Sequence, residues 1–313
     1  MRVEWRTVGL IGFTYGGWIL AGCLLWPVLP GPALVVMAVL VALHSSLVHE
    51  CIHGHPTRKR WINEVLVGAN PGLIWPYRRF RTLHLRHHHD AHLTDPFEDP
   101  ESYYRAHWQF RAMPGWVRGL LRFNNTMVGR LILGPWLGAL ALVVGDLRAI
   151  LGGDRVILRD WALHLIGLAP IFLVIAWVFE IPLWLYVLTA CWGGMALISV
   201  RTFAEHRWAE TIEGRTIIVE KTPLSWLFLN NNLHIVHHTH PAAPWYELPA
   251  LFAKDRDFWV AYNQGYVFDN YWQLFSRWGF RQKEWVDHPA LHVGSEMRLA
   301  LSEHPAKGNS RQT

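Results

Sequence analysis

The chain has 313 residues, 51% of them hydrophobic, and 29 Lys and Arg against 24 Asp and Glu. The resulting charge of +5 is small and its basic residues sit beside apolar runs, so no nucleic-acid partner is expected. The average conceals an uneven placement of charge: none falls between Arg6 and Glu50, a run of 43 residues, where a bilayer-spanning helix needs only about 20. A multi-pass membrane protein is therefore expected, embedded in the bilayer. A signal peptide does not explain the first run, which has no small-residue cleavage site before polar sequence.

In chain order, the segment from Pro27 to Pro32 cannot continue a helix and divides the first run into spans at about 8–26 and 33–49. Charge-free stretches of 13 residues (Val65 to Tyr77, with Pro71) and 15 residues (Leu131 to Gly145, with Pro135) are short for a span and read as interfacial or re-entrant helices. A second hairpin, 161–179 and 182–200, turns at Glu180-Ile181-Pro182. Both tight connections lack Lys and Arg, whereas Arg58, Lys59, Arg60 and Arg78, Arg79, Arg81 crowd the segment between the hairpins. The positive-inside rule then puts both termini, 50–160 and 201–293 in the cytoplasm, most simply of a bacterial inner membrane. The expected fold is all-α and integral to the membrane: four spans in two hairpins, interfacial helices and a cytoplasmic helical cap. It forms one domain over 1–293, with 294–313 a disordered tail. Cys23 and Cys191 fall in spans and Cys51 among histidines, which leaves no disulfide framework.

Fourteen of the nineteen histidines fall in four short segments. His49 and His53 are one helical turn apart, and His84, His87, His88 and His234, His237, His238 both follow H-x-x-H-H, so each segment can turn two or three imidazoles to one place. His206 directly follows the fourth span. Neutral imidazole suits iron, copper, zinc and nickel, and this many ligands exceeds the need of one ion, so two metals are the economical reading. His44 is a further candidate ligand, and His55, His89, His92 and His240 are candidates for supporting or surface positions. Asp95, Asp99 and Glu101 follow the second segment closely. They read either as a solvated acidic turn or as acceptors for the outer N–H of ligating imidazoles.

In order, His49-Glu50-Cys51-Ile52-His53, His84-Leu85-Arg86-His87-His88, Arg201 to Arg207, and Asn231-Asn232-Leu233-His234-Ile235-Val236-His237-His238 with Pro244-Trp245 beyond resemble the histidine boxes of the membrane fatty acid desaturase family. The resemblance covers about 40–250. It implies a diiron centre of two Fe2+ ions held by His49, His53, His84, His87, His88, His206, His234, His237 and His238, with molecular oxygen as co-substrate. It further implies a lipid or fatty acyl substrate, desaturated on the cytoplasmic face. No cytochrome b5 signature is fused, so electrons are expected from a separate ferredoxin, rubredoxin or cytochrome with its reductase. Should His206 fail as a ligand, Asn230, Asn231 or His240 are the alternatives. Trp75, Trp108, Phe110, Trp226, Phe228 and Trp245 are candidate walls for an acyl channel.

Similar boxes also serve lipid hydroxylases, ketolases and alkene-forming fatty acid decarboxylases. His49-Glu50-Cys51-Ile52-His53 also reads as the H-E-x-x-H of a zinc protease, but that leaves two H-x-x-H-H segments unexplained. A metal transporter or haem cytochrome would carry ionisable ligands within its spans, which hold little besides His44 and His164.

Overall fold

A computed structural model describes residues 3–89 and 92–291; the expected tail lies outside them. Among the described residues the regular structure is helical apart from one short parallel pair, β1 (Ile218–Val219) and β2 (Val267–Phe268). Five helices are long and apolar enough to cross a bilayer: α1 (Trp5–Leu25), α2 (Pro30–Ile52), α7 (Met127–Leu151), α8 (Arg155–Val178) and α9 (Leu183–Glu205). Between α2 and α7 lie α3 (Arg60–Val67), α4 (Tyr77–His89), α5 (His107–Ala112) and α6 (Gly115–Asn124). After α9 come α10 (His234–Thr239), α11 (Leu248–Lys254), α12 (Arg256–Tyr262) and α13 (Tyr271–Trp278).

Three expectations are corrected. The spans are longer than their charge-free runs, because charges near their ends are paired. Asp160 in α8 accepts from Arg159 at 3.1 Å, and Arg201 meets Glu205 at 2.7 Å in the last turn of α9. Pro30 opens α2 rather than preceding it, since the first helical residue has no partner for its N–H in any case. Most of all, the 15-residue stretch around Pro135 is part of a 25-residue helix, α7. Thr126 caps it by accepting from Gly129 N at 2.9 Å. Asp146, deep in it, accepts both forks of Arg79 at 2.8 and 2.7 Å and the indole of Trp161 at 2.8 Å. Among the described residues five helices are therefore long and apolar enough to cross a bilayer, one more than the expected spans.

Both hairpin turns lie at one end of the bundle. There Trp18, Phe179, Ile181 and Tyr186 form a shared apolar core with Met37 and Ile175. At mid-bundle α2 and α9 touch through Gly194, where a Cβ would come within 2.9 Å of the Ala38 carbonyl and 2.5 Å of a Val41 methyl carbon.

The stretch from Val65 to Tyr77 is not a helix through its middle. The loop between α3 and α4 enters the bundle, and side chains from three long helices satisfy its carbonyls. Tyr15 donates to Ala69 O at 2.8 Å, Tyr186 to Pro71 O at 2.9 Å, and His164 Nε2–H to Leu73 O at 2.9 Å. Asn70 bridges the loop to itself, donating to Trp75 O at 3.2 Å and accepting from Gly72 N at 2.8 Å. Irregular backbone among apolar helices needs such partners, because unpaired polar groups there cost several kcal/mol, on the order of the full desolvation penalty. His44 belongs to this latch: its Nε2 is 3.0 Å from the Tyr15 hydroxyl.

Candidate metal centre

At the opposite end from the hairpin turns, nine histidines converge. His49 and His53 close α2, and His84, His87 and His88 line one face of α4. His206 is the first residue past α9, in extended backbone tied to Thr216, with its carbonyl accepting from the buried Lys283 amine. His234, His237 and His238 form α10, whose six residues present all three rings to the same centre. Their nitrogens make two groups: His49, His53, His84, His88 and His237 in one, His87, His206, His234 and His238 in the other. The H-x-x-H-H segments thus divide between the groups, with His87 and His88 on opposite sides.

Spacing shows that these rings suit an ion. Nε2 of His84 lies 3.1 Å from that of His53 and 3.0 Å from that of His88, and His237 is 3.1 Å from His88. In the second group His206 is 3.1 Å from both His87 and His234, and His238 is 3.2 Å from His234. Imidazole nitrogens about 2.0–2.1 Å from a divalent ion stand about 3 Å apart when their bonds are at right angles, and slightly farther in a tetrahedron. The outer nitrogens fix which atom faces inward. His84 Nδ1–H donates to Glu101 at 2.7 Å, His87 Nδ1–H to Asp99 at 2.8 Å, and His234 Nδ1–H to Asn231 Oδ1 at 2.8 Å, so in each ring Nε2 is the nitrogen that faces inward. His49 Nε2 is buried with no hydrogen-bond partner among the described residues. Converging lone pairs in a buried site repel unless a cation lies between them, so the residues present fit bound metal.

Electrostatics agrees. Burial, reinforced by neighbouring rings, pushes His53, His88, His206, His234, His237 and His238 below the ordinary histidine range and keeps them neutral. His87 goes the other way: burial lowers it, but the carboxylates of Glu101 and Asp99 outweigh that and raise it to about 9.

The supporting candidates separate cleanly. Asp99 and Glu101 both hold ligand-group imidazoles, and Asp99 also accepts from Thr94 N at 2.8 Å. Asp95 does not: it caps its own turn, accepting from Phe97 N at 2.8 Å and Glu98 N at 3.0 Å. Asn231 supports His234 and donates to Glu205 at 3.4 Å. His44 belongs to the loop latch, His55 binds Glu4 at 2.7 Å, and exposed His92 and His240 lie outside both groups. The His89 side chain lies outside the described structure. Sequence reasoning missed Arg201 and Glu205, whose i, i+4 spacing just before His206 was the available signal.

A cavity of about 550 Å³ opens on this centre. His84 of one group and His206 of the other line it, so both groups face the same space. Its apolar walls come from Val41 and Val48 of α2, Phe80 and Leu83 of α4, Leu137, Ala141 and Leu142 of α7, and Met195 and Ile198 of α9. Of the six aromatic residues expected there only Trp75 lines it; Trp108, Phe110, Trp226, Phe228 and Trp245 do not. Trp226 and Trp245 pack on each other at 5.7 Å, and Phe228 packs on Tyr271 at 5.5 Å.

Comparison with known proteins bears on this arrangement. The chain is 25% identical over 248 residues to the sn-1 oleoyl-lipid 12-desaturase of Picosynechococcus sp., a match that covers 68% of this chain and 65% of that relative. The fatty acid desaturase family model matches residues 24–270, which take in every histidine of both groups and the helices from α2 to α12. With that span matched and its histidines gathered into two metal-sized groups, the chain belongs to the fatty acid desaturase family.

Proposed function

We propose that the chain is an oxygen-dependent desaturase of fatty acyl chains, with two irons held by the five-histidine and four-histidine groups. The observation that carries this reading is the shared cavity: a largely apolar space of about 550 Å³ meets one histidine of each group. The irons would supply oxygen activation; the protein supplies rings fixed by Asp99, Glu101 and Asn231, and apolar walls that exclude water from the chain. The reaction balances when one methylene pair loses two hydrogens, oxygen takes them together with two further protons and two electrons, and two waters form. Those electrons come from a separate redox protein.

Four crossings fit this reading better than five. The segments after α2 and after α9 share one centre, so an even number of crossings must separate them. Both ends of α7 touch cap-side elements: Val128 N donates to Gly279 O at 3.0 Å, and Asp146 binds Arg79 of α4. In this reading α7 lies along the cytoplasmic interface while α1, α2, α8 and α9 cross. Single cysteines at the exposed positions Val28 and Trp184 are expected to react with an impermeant reagent outside the cell, and ones at Arg58 and Lys254 only after lysis. Labelling of intact cells at Arg58 would refute the topology.

Product analysis tests the chemistry. Cells expressing the protein with deuterated fatty acid are expected to accumulate an internal alkene lacking two vicinal deuteriums, absent with His237→Ala. An alcohol carrying oxygen from labelled O2 would select a hydroxylase instead. A chain one carbon shorter, with carbon dioxide, would select a decarboxylase.

A further inference from the structure

The cavity wall carries two cationic groups that the metal centre does not use. Four carboxylates line it and each is engaged: Asp146 with Arg79, Glu205 with Arg201, Glu101 with His84 and Asp99 with His87. Two lining arginines, Arg105 and Arg130, have no carboxylate partner among the described residues. Arg105 spends one terminal nitrogen on Tyr104 O at 2.9 Å. Arg130 is the more available: it donates only from Nε, to Asn124 O at 3.1 Å, and both of its terminal nitrogens lack a partner among the described residues.

Its position is built. The stem of Arg130 lies over Gly134, one turn along α7, where a Cβ would come within 2.7 Å of Arg130 Cδ. A side chain at 134 would push the arginine aside. The guanidinium then rests near the rings of Tyr103 at 5.2 Å and Phe203 at 5.9 Å. Tyr103 is also next to the centre, its hydroxyl 3.3 Å from the His206 carbonyl. An unneutralised guanidinium, oriented by two rings and a glycine in the wall of a largely apolar cavity, is arranged for an anionic head on an apolar tail.

We infer that Arg130 binds the carboxylate of a free fatty acid, so that the substrate enters as the acid rather than as an ester. This rests on the acyl-chain reading above and names its head group. A guanidinium fork matches two carboxylate oxygens. A multiply charged phosphate head would meet Asp99, Glu101 and Glu205 in the same wall and be repelled. From Arg130 to Asp146 the cavity follows α7 for 16 residues, about 24 Å of helix, so the tail has room to run beside it.

The test is saturable binding of radiolabelled palmitate to the purified full chain in detergent, with methyl palmitate, palmitoyl-CoA and lysophosphatidylglycerol as competitors. Palmitate is expected to bind at least about tenfold tighter than its methyl ester, the scale of a hydrogen-bonded charge pair. Arg130→Gln is expected to reduce palmitate to the affinity of the ester and leave the ester unchanged; Arg130→Lys should keep part of the preference. Equal affinity of acid and ester in the unaltered protein would overturn the inference without recourse to any variant. So would undiminished palmitate binding by Arg130→Gln, or Arg130-dependent binding in which either phosphate-bearing lipid outcompetes palmitate. Because binding is read without turnover, Arg130-dependent palmitate binding with no dehydrogenated product would sink the desaturase reading and leave this one standing. Alkene formation from esters with no preference for acid would do the reverse.

Discussion

Alanine at His238 is expected to abolish turnover and to lower bound iron from about two per chain to about one or fewer, with helix content and membrane insertion unchanged. The group of His87, His206, His234 and His238 has four nitrogens, so removing one leaves three to hold an ion that ordinarily takes at least four ligands. The loss in activity should exceed the roughly 10–100-fold that removal of an outer hydrogen-bond partner costs. Alanine at His53 should be milder in metal content, because its group retains four of five histidines. The fold is expected to tolerate both changes, since among the described residues the ring contacts of His53 and His238 are with other histidines of the centre. Two controls separate ligation from general damage. His240→Ala should keep both irons, because that exposed ring only packs against Trp259, at 5.7 Å. His44→Ala should also keep them while lowering thermal stability, because it loosens the Tyr15 latch on the buried loop. Full iron content in His238→Ala, or loss of iron in His44→Ala, would show that the ligand groups are wrongly drawn.

How much of this was legible in the sequence follows from what each signal measures. Spacing at i, i+3 and i+4 records which side chains share a helix face, and that located eight of the nine histidines of the two groups, while His206 stands alone and was marked by its place after the fourth span and by the family resemblance. Spacing carries no information on which face of one helix meets which face of another, so the assignment of His88 to one group and His87 to the other had to come from the fold. Charge-free run length found the two hairpins. It failed at α7, because Arg130, Asp146 and Arg148 interrupt the count, and Arg79, the partner that makes Asp146 tolerable there, lies far away in sequence. The same limit hid the role of His44: its i, i+5 spacing to His49 suggested a ligand, and only the distant Tyr15 and Ala69 reveal a latch. Aromatic residues were poor guides to the channel. Tryptophan and phenylalanine serve interfaces, cap cores and cavities alike, and the walls here are mostly aliphatic side chains whose inward direction no local pattern specifies.

Metal uptake by the metal-free protein is expected to strengthen about tenfold per pH unit as pH rises toward 9 and then to level off. The cause is His87. In the absence of metal, Glu101 and Asp99 outweigh burial and raise its ring to about 9, so at neutral pH it carries a proton on the nitrogen that faces the centre. A ligating imidazole must be neutral, so binding displaces that proton and costs more the further the pH lies below 9. The neighbouring rings outside the bilayer are pushed below the ordinary range and already neutral, so they add no slope between pH 7 and 9. Asp99→Asn should flatten this dependence, since it removes one of the charges that hold the proton. It should also weaken binding above pH 9, by roughly 10–100-fold, because an amide nitrogen turned toward His87 no longer accepts its Nδ1–H and the ring loses its fixed orientation. The amide oxygen can still accept from Thr94 N, while the N–H of Glu101, which Oδ1 also accepts, loses its partner; Asp99→Ala strands both N–H groups, at a cost of about 1–3 kcal/mol each. Calorimetric titration of metal into both proteins at pH 7, 8 and 9, in buffers of differing protonation enthalpy, counts the released proton directly. A flat profile in the unaltered protein would mean that His87 is neutral before metal arrives, and an unchanged slope in Asp99→Asn would mean that Asp99 does not hold its proton.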